Sequence, residues 1–396
     1  MEKQLQSTAV VIIPTYNEAK VIGEMITHIF TKIFPTIKNW NCHLLIVDDS
    51  SPDGTAKIVE NYQKKYPNLH LYLNPEKIGI GMAYVKGFKY AMDKLKADVL
   101  IEFDADFQHP PETIPVLLSK IDQGYDYVVG SRKIKGGSNP KGWGIKRVFF
   151  SEVGGFTARF ILFFPFKNFF KVTDPTTGLK ASRVKGFVDR LPMDNLYSYK
   201  FGYKLEFFFR MIQMKARFVE IPLKFGLRTQ GESKISSNTA KDIFKTVFFL
   251  RWHDPFIQKF LKFGLVGGFG FVVNVIGAKL FKLPLLSIPV LSISLVNSLA
   301  NALAAELSII SNFIWNNIWT FSQEKITKDT HLFSKFLTFN LSSFVTGIVI
   351  PSTVIGLLTA LFGDRLFLYQ IIAIFGLTVP LNWFVYNKFI WKKKGE

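Results

Sequence analysis

The last third of the chain contains long stretches without a charged side chain, and these stretches constrain the fold more than any other feature. Residues 263–278, 283–305, 307–323, 336–362 and 366–387 contain no Lys, Arg, Asp or Glu. Because about 20 apolar residues are enough for a helix to cross a bilayer, we expect four membrane-spanning helices, at about 260–281, 293–318, 334–361 and 367–391. Residues 260–396 are therefore predicted to form an all-α transmembrane domain.

The charges between the predicted spans indicate their orientation. Basic residues are concentrated between the second and third spans and in the C-terminal tail, whereas the opposite loops contain Lys279, Lys282 and Arg365. Loops rich in Lys and Arg remain on the cytoplasmic side of a membrane. We therefore expect an integral, multi-pass protein of the cell membrane, with the N-terminal domain and both termini in the cytosol.

The membrane half also contains an internal repeat. The segment NFIWNNIWTF (312–321) aligns with NWFVYNKFIW (382–391), and LKFGLVGGF (261–269) aligns with SKFLTFNLS (334–342). Two copies of one helical hairpin are the simplest explanation. Glu306 is an acid within a predicted span, so it is a candidate either for helix packing or for a role in lipid handling.

Residues 1–235 have a different pattern, in which short apolar runs alternate with amphipathic segments. The apolar runs lie at 9–14, 43–49, 69–73, 98–104 and 126–131, and helix-compatible segments such as 55–66 and 81–95 lie between them. This alternation predicts a Rossmann-like α/β domain with a mostly parallel sheet, in which ligands bind beyond the carboxyl ends of the strands. Three polar clusters occur at such strand ends: PTYNE (14–18), DDSSPDGT (48–55) and DADFQ (104–108).

The DADFQ cluster predicts a metal site. If the fourth strand continues to residue 104, Asp104 and Asp106 face the same way, and Gln108 follows two positions later. Carboxylate and amide oxygens are ligands that suit Mg²⁺ or Mn²⁺. His109 is a candidate general base by residue type, although HPP also fits a loop entering the next helix.

The charge balance indicates an anionic partner. The chain has 49 Lys and Arg against 30 Asp and Glu, a net charge of +19, and 41 Phe. Because Phe is concentrated in the second half, a lipid bilayer is favoured over nucleic acid as the partner. Residues 145–170 and the linker at 236–259 mix aromatic and basic residues, which is typical either of amphipathic helices at the bilayer interface or of buried domain helices.

Taken in order, the motifs resemble a known family. IIPTYNE, VDDSSPDGT, DADFQHPPE, GSR (130–132), DPTTG (174–178) and RTQGESK (228–234), with Gly79, Gly81 and Gly87, resemble the GT-A catalytic domain of family 2 glycosyltransferases. More narrowly, they resemble the dolichol-phosphate mannose synthase group. The membrane half resembles the GtrA-type domain that accompanies polyprenyl-phosphate glycosyltransferases.

The resemblance implies roles for individual residues. Asp104, Asp106 and Gln108 are expected to bind a divalent cation, and the residues expected to hold the nucleotide are Pro14, Tyr16, Glu18, Asp48, Asp49, Lys77, Asp104, Ala105, Asp106, Gln108, Arg228 and Lys234. Arg132 and Thr177 are expected to bind the phosphate of the acceptor. The residues expected to act in catalysis are Asp106, Arg132, Arg228 and Lys234.

The resulting functional hypothesis is an inverting glycosyltransferase. The favoured reaction moves mannose from GDP-mannose to a membrane polyprenyl or dolichyl phosphate, whose anionic oxygen does not need a general base. UDP-glucose is the alternative donor. A lipid-linked-sugar translocator with a nucleotide-binding domain is the alternative from a different class.

Overall fold

The computed structural model describes residues 6–227, 237–327 and 331–392. Within it, the chain divides into two compact units, Met1–Trp252 and His253–Glu396. The first unit is an α/β domain and the second is entirely helical.

The first unit is built on a seven-stranded sheet. In chain order, the strands are β1 Ser7–Thr15, β2 Trp40–Asp48, β3 Leu69–Leu73, β4 Val99–Glu102, β5 Tyr127–Ser131, β6 Lys180–Arg183 and β7 Phe218–Pro222. Their order across the sheet is β3-β2-β1-β4-β6-β5-β7, and β6 runs antiparallel to both of its neighbours. The prediction of a mostly parallel sheet is confirmed.

Both faces of the sheet are covered by helices. On one side, Val10, Ile12 and Leu45 pack into a core cluster with the helices at Ile80–Asp93, Ile145–Phe163, Tyr203–Gln213 and Ser237–Trp252. On the other side, Val11 and Leu44 face a second cluster with the helices at Ile22–His28, Thr55–Gln63 and Thr113–Asp122. Strands buried on both faces read as continuous apolar runs, which explains why β1 and β2 are recognisable from sequence. The helices of this unit are α1 Ile22–His28, α2 Thr55–Gln63, α3 Ile80–Asp93, α4 Thr113–Asp122, α5 Ile145–Phe163, α6 Asn168–Lys171, α7 Tyr203–Gln213 and α8 Ser237–Trp252, with a π-helical turn at Ile29–Ile33 and 3₁₀ turns at Phe34–Thr36 and Val188–Arg190.

The second unit contains the four predicted apolar helices. Pro255–Leu286, Ile293–Thr320, Leu332–Phe362 and Phe367–Ile390 are each long and apolar enough to cross a membrane. Their α-helical parts are α9 Pro255–Leu286, α10 Ile293–Trp315, α11 Leu332–Phe344, α12 Ile350–Phe362, α13 Leu366–Ala373 and α14 Val379–Val385. π-Helical turns continue or join them at Asn316–Thr320, Val345–Val349, Ile374–Thr378 and Tyr386–Ile390, and Ser322–Glu324 is a 3₁₀ turn.

The two hairpins of this unit end in the same way, as the predicted duplication requires. A π-helical turn closes the second span at Asn316–Thr320 and the fourth span at Tyr386–Ile390. The aromatic residues that follow, Phe321 and Trp391, stack on each other with ring centroids 4.5 Å apart. Asn340 on α11 donates a hydrogen bond of 2.6 Å to Glu306 on α10, which supports the helix-packing hypothesis for this carboxylate.

Candidate active site

The metal-binding residues predicted from DADFQ lie on a turn, not on a strand. β4 ends at Glu102, and Phe107 has a positive φ of 57°. Asp106 Oδ1 accepts a 3.1 Å hydrogen bond from the Gln108 backbone N–H, which closes the turn. The strand-alternation argument for Asp104 and Asp106 was therefore wrong, because the strand ends before either residue and the turn determines their directions.

The turn offers three oxygen-bearing side chains of different exposure. The Asp104 side chain is 28% exposed, whereas Asp106 and Gln108 are buried. Gln108 donates its amide nitrogen to the carbonyl oxygen of Gly226 over 3.2 Å, so its amide oxygen is the atom suited to a cation. Two carboxylates and an amide oxygen fit the preference of Mg²⁺ or Mn²⁺ for hard ligands. Among residues 6–227, 237–327 and 331–392, no group of three or more His, Cys, Asp or Glu is placed to hold a metal ion.

Asp104 is surrounded by polar side chains from its own loop and from two helices. Tyr84 on α3 donates a hydrogen bond of 3.3 Å to Asp104 Oδ1, and His109 Nδ1 lies 3.5 Å from Oδ2. The ammonium of Lys204, at the start of α7, lies 4.0 Å from Oδ1. Burial lowers the pKa of His109, which packs edge-on against Phe103 and Phe225. His109 is therefore part of the support of this loop, in agreement with the loop interpretation of HPP.

The loops after β1 and β2 are hydrogen-bonded into one structure. Asp48 accepts hydrogen bonds from the Thr15 hydroxyl and from both the backbone and the hydroxyl of Ser51. The Glu18 backbone N–H donates to the Thr55 hydroxyl over 3.0 Å. Pro14 lies in β1 opposite Val47 of β2. The polar clusters PTYNE and DDSSPDGT therefore meet at the same edge of the sheet, as the sequence predicts.

Asp49 anchors the segment that leads into α3. Its carboxylate accepts hydrogen bonds from the Asn74 amide and from the backbone N–H groups of Ile78 and Gly79. Burial raises the pKa of Asp49, and these hydrogen bonds oppose the rise. In the same region, Lys77 Nζ lies 3.8 Å from the centroid of the Tyr16 ring. A role for Asp48 or Asp49 in base recognition stays a prediction, because both acids are buried and hydrogen-bonded within these loops.

The GSR and DPTTG motifs meet in an ion pair. Arg132 Nε donates to Asp174 Oδ2 over 2.6 Å, and Nη2 donates to Oδ1 over 2.7 Å. Nη2 also lies 3.1 Å from the Thr176 hydroxyl. Burial alone would raise the pKa of Asp174, but the guanidinium outweighs it and holds the pKa below its usual range. Thr177 is buried, and its hydroxyl oxygen accepts a hydrogen bond from Leu179 N.

A buried polar network beneath the site was missed by sequence reasoning. Glu102 and Lys180 are opposite each other on the antiparallel strands β4 and β6, and Tyr203 donates a hydrogen bond to Glu102. Lys180 donates to the carbonyl oxygen of Lys204 over 2.8 Å, and burial lowers the pKa of Lys180 to about 8. The sequence gives no signal for this network, because Lys180 and Lys204 stand in none of the sequence motifs. Asp174 is the first residue of the DPTTG motif, but the sequence analysis assigned it no role.

Arg228 and Lys234, predicted to hold the diphosphate, lie outside the described residues. Gly226, two positions before Arg228 in the sequence, exchanges hydrogen bonds with Gln108 through its backbone N–H and its carbonyl oxygen. The roles of Arg228 and Lys234 stay predictions.

Comparison with known proteins identifies both halves of the chain. The family model "Glycosyl transferase family 2" matches residues 10–185, and "GtrA/DPMS, transmembrane domain" matches residues 252–391. A dolichol-phosphate mannosyltransferase of Pyrococcus furiosus is 32% identical over 86% of this chain and 87% of its own length. The chain belongs to the dolichol-phosphate mannosyltransferase family.

Two shorter relatives each match a little over half of this glycosyltransferase. An undecaprenyl-phosphate mannosyltransferase of Micrococcus luteus is 32% identical over 57% of this chain and 86% of its own length. A polyprenol monophosphomannose synthase of Mycolicibacterium smegmatis is 31% identical over 59% and 84%, respectively. The protein is therefore a membrane glycosyltransferase with a GT-A-like catalytic domain.

Proposed function

We propose that this enzyme transfers mannose from GDP-mannose to a membrane polyprenyl or dolichyl phosphate, with inversion at the anomeric carbon. The observation that carries the proposal is the contact between the predicted metal loop and the predicted acceptor loop. A Cβ atom at Gly178 of DPTTG would lie 3.1 Å from Asp104 Oδ2, so the two loops touch at this glycine. The names of the relatives in three organisms support mannose as the sugar and a polyprenyl phosphate as the acceptor.

Asp104, Asp106 and Gln108 are the residues that would hold the divalent cation, Mg²⁺ or Mn²⁺. Bound there with the donor, the cation would stabilise negative charge on the departing diphosphate. The turn closed by Asp106 fixes the relative positions of the three side chains. Arg228 and Lys234 supply further positive charge to the same diphosphate.

The acceptor phosphate attacks without a general base. A phosphate monoester has a second pKa of about 6, so its oxygen is already anionic near neutral pH. This oxygen forms a bond to C1 of mannose while the bond from C1 to the diphosphate breaks, and GDP leaves. Since two anionic groups must approach each other, Arg132 and Thr177 are proposed to bind the acceptor phosphate, and Asp174 holds the Arg132 fork in place.

The nucleoside is proposed to bind in the joined loops after β1 and β2. Tyr16, stacked under Lys77, offers an aromatic face; Glu18 lies on the same loop, and Pro14 lies just before it in β1. Asp48 and Asp49 keep these loops in place. Ala105 contributes backbone between the two metal-binding carboxylates.

The first unit exposes an apolar stripe that fits a lipid surface. Ile145, Phe149, Val153, Phe156 and Phe160 on α5 are exposed at spacings of three or four residues, whereas Ala158 and Leu162 on the opposite side are buried in the domain. Exposed apolar patches of this kind mark membrane or protein contacts. We therefore propose that α5 lies at the bilayer interface on the cytosolic side, where the phosphate head of a prenyl lipid is located.

A donor panel tests this function. Purified protein with Mn²⁺ and polyprenyl phosphate is incubated in parallel with labelled GDP-mannose, UDP-glucose and UDP-GlcNAc, and the organic-phase product is counted. We expect transfer from GDP-mannose with the highest kcat/KM. Faster transfer from UDP-glucose would assign a different donor, and no transfer from any donor would favour the translocator hypothesis.

A further inference from the structure

Lys204 is a buried cation that the reaction proposed above does not use. Its side chain is 3% exposed, and its ammonium lies 4.0 Å from Asp104 Oδ1 and 5.2 Å from the centroid of the Phe201 ring. A buried ammonium is unfavourable unless a carboxylate or another acceptor compensates its charge. Asp104 therefore provides the negative charge that allows Lys204 to be buried.

The position of the ammonium is closely restricted. A Cβ atom at Gly178 would lie 2.6 Å from Lys204 Nζ, so there is no space for a side chain between DPTTG and the ammonium. The backbone of Lys204 is fixed as well, because its carbonyl oxygen accepts a hydrogen bond from the ammonium of the buried Lys180. Lys204 is thus held between the acceptor loop and the metal-binding turn.

A cation bound by Asp104 would share this carboxylate with an ammonium of the same sign. Like charges a few ångströms apart repel strongly where water is excluded. In the free protein, Asp104 and Asp106 are the acids of the turn that offset this repulsion. When a nucleoside diphosphate is present, its phosphate oxygens add negative charge and further ligands, and the repulsion is offset.

We propose that Lys204 is a positioning residue that makes binding of the divalent cation depend on the nucleotide. It orients the Asp104 carboxylate before the donor arrives and weakens metal binding to the free protein, so that metal and donor bind together. This inference rests on the proposed metal site at Asp104, Asp106 and Gln108. Because coupling between two ligands is reciprocal, the metal must strengthen nucleotide binding by the same factor.

Mn²⁺ binding to the full-length protein tests the inference without measuring turnover. Free Mn²⁺ is followed by electron paramagnetic resonance during titration, with and without saturating GDP. The variants are Lys204→Met and Lys204→Gln, which both remove the charge and differ in polarity, so that either can be used if the other does not fold. The control is Lys200→Met, which removes the same charge from an exposed position four residues earlier.

The expected results differ between the free and the nucleotide-bound protein. Wild-type protein and the Lys200→Met control bind Mn²⁺ at least ~10-fold more tightly with GDP than without it, as expected for partial relief of a short-range charge repulsion. Both Lys204 variants bind Mn²⁺ without GDP ~10-fold more tightly than wild type, and the effect of GDP shrinks accordingly.

Three results would overturn the inference. Wild-type protein that binds Mn²⁺ equally well with and without GDP has no such coupling, whatever the variants do. Lys204 variants with unchanged or weaker Mn²⁺ binding in the absence of GDP would show that the ammonium does not oppose the metal. If wild-type protein fails to bind Mn²⁺ even with GDP, the metal site itself is wrong, and the proposed function fails with it.

Discussion

At the scale of single residues, Arg132 forms an ion pair with Asp174 and is proposed to bind the acceptor, and these two roles must be separated experimentally. The guanidinium group of Arg132 is hydrogen-bonded to Asp174, which is almost completely buried. Removing one partner of a buried ion pair typically costs about 3–5 kcal/mol, because the other charge is left without compensation. A simple Arg132→Ala variant therefore loses stability as well as any contact with the acceptor.

A double variant separates these effects. We expect Arg132→Ala to lower the thermal unfolding midpoint and to raise the KM for polyprenyl phosphate, while donor affinity stays close to that of wild type. Adding Asp174→Asn removes the uncompensated charge, so the double variant should recover most of the midpoint but keep the high acceptor KM. Recovery of the acceptor KM would mean that Arg132 does not bind the acceptor and acts only on Asp174.

Gly178 gives a second test at this scale. In Gly178→Ala, the new methyl group would lie 2.6 Å from Lys204 Nζ and 3.0 Å from His109 Cε1, both of which are buried. We expect steady-state assays to show at least a tenfold loss of kcat, equivalent to about 1.4 kcal/mol of barrier. The control is Gly154→Ala on α5, where a Cβ has no neighbour within 4 Å. A Gly178→Ala variant with normal kcat would show that the contact between the two loops is not needed for catalysis.

At the scale of secondary structure, the sequence predicts the strands whose burial leaves an apolar run. β1 to β5 were predicted because they are apolar, with small errors at their ends. β6 was not predicted, since its sequence is Lys-Ala-Ser-Arg and its buried lysine is compensated by Glu102 on the neighbouring strand. Partners of this kind come from distant parts of the chain, so a local pattern does not show them. The same reason explains why Lys204 and Asp174 were missed, whereas the loops at the strand ends were found.

The two hairpins predicted to be duplicates allow a matched test of one element. The side-chain amide of Asn317 donates a hydrogen bond to the Ile326 carbonyl oxygen and accepts hydrogen bonds from Ile326 N and from Trp391 Nε1. Its counterpart Asn387 donates one hydrogen bond, to the Trp383 carbonyl oxygen of its own helix. We expect Asn317→Ala to destabilise the membrane unit by about 2 kcal/mol, since it leaves buried groups without partners. Asn387→Ala should cost less than half as much. Thermal unfolding in detergent, followed by tryptophan fluorescence, measures the loss of stability in both variants. Equal losses would contradict the conclusion that the contacts of Asn317 stabilise the unit more than those of Asn387.

At the scale of the whole molecule, the predicted metal and acceptor loops and the apolar spans belong to different compact units. The boundary between the two units lies at the C-terminal end of α8. This helix belongs to the first unit because its Asp242 accepts hydrogen bonds from Ser198 and Gly202, and its Val247 and Leu250 are buried there. A functional truncation must therefore keep α8. Sequence reasoning alone favoured ending the catalytic domain near residue 235, before this helix.

Two truncated chains test this division. A chain ending at Trp252 should fold, bind GDP and Mn²⁺ with affinities within about threefold of the full-length protein, and transfer mannose to a short, soluble prenyl phosphate. Its effective affinity for a long-chain lipid should be much lower, because the spans no longer keep it at the membrane. A chain ending at residue 236 should unfold at a lower temperature. If the chain ending at Trp252 binds donor but transfers to neither acceptor, the spans contribute directly to the active site.

The most direct test of the account is transfer of labelled mannose from GDP-mannose to polyprenyl phosphate in proteoliposomes, comparing wild-type protein with Asp106→Asn. Asn at this position keeps an oxygen for the hydrogen bond from Gln108 N, so the turn is preserved and one charged metal ligand is lost. We expect wild-type protein to form mannosyl lipid and EDTA to abolish it. Asp106→Asn should retain less than about a tenth of the rate, and Glu112→Gln, at an exposed acid on the same loop, should be close to normal. Transfer that continues in EDTA, or an Asp106→Asn variant above that limit, would contradict the metal-dependent mechanism.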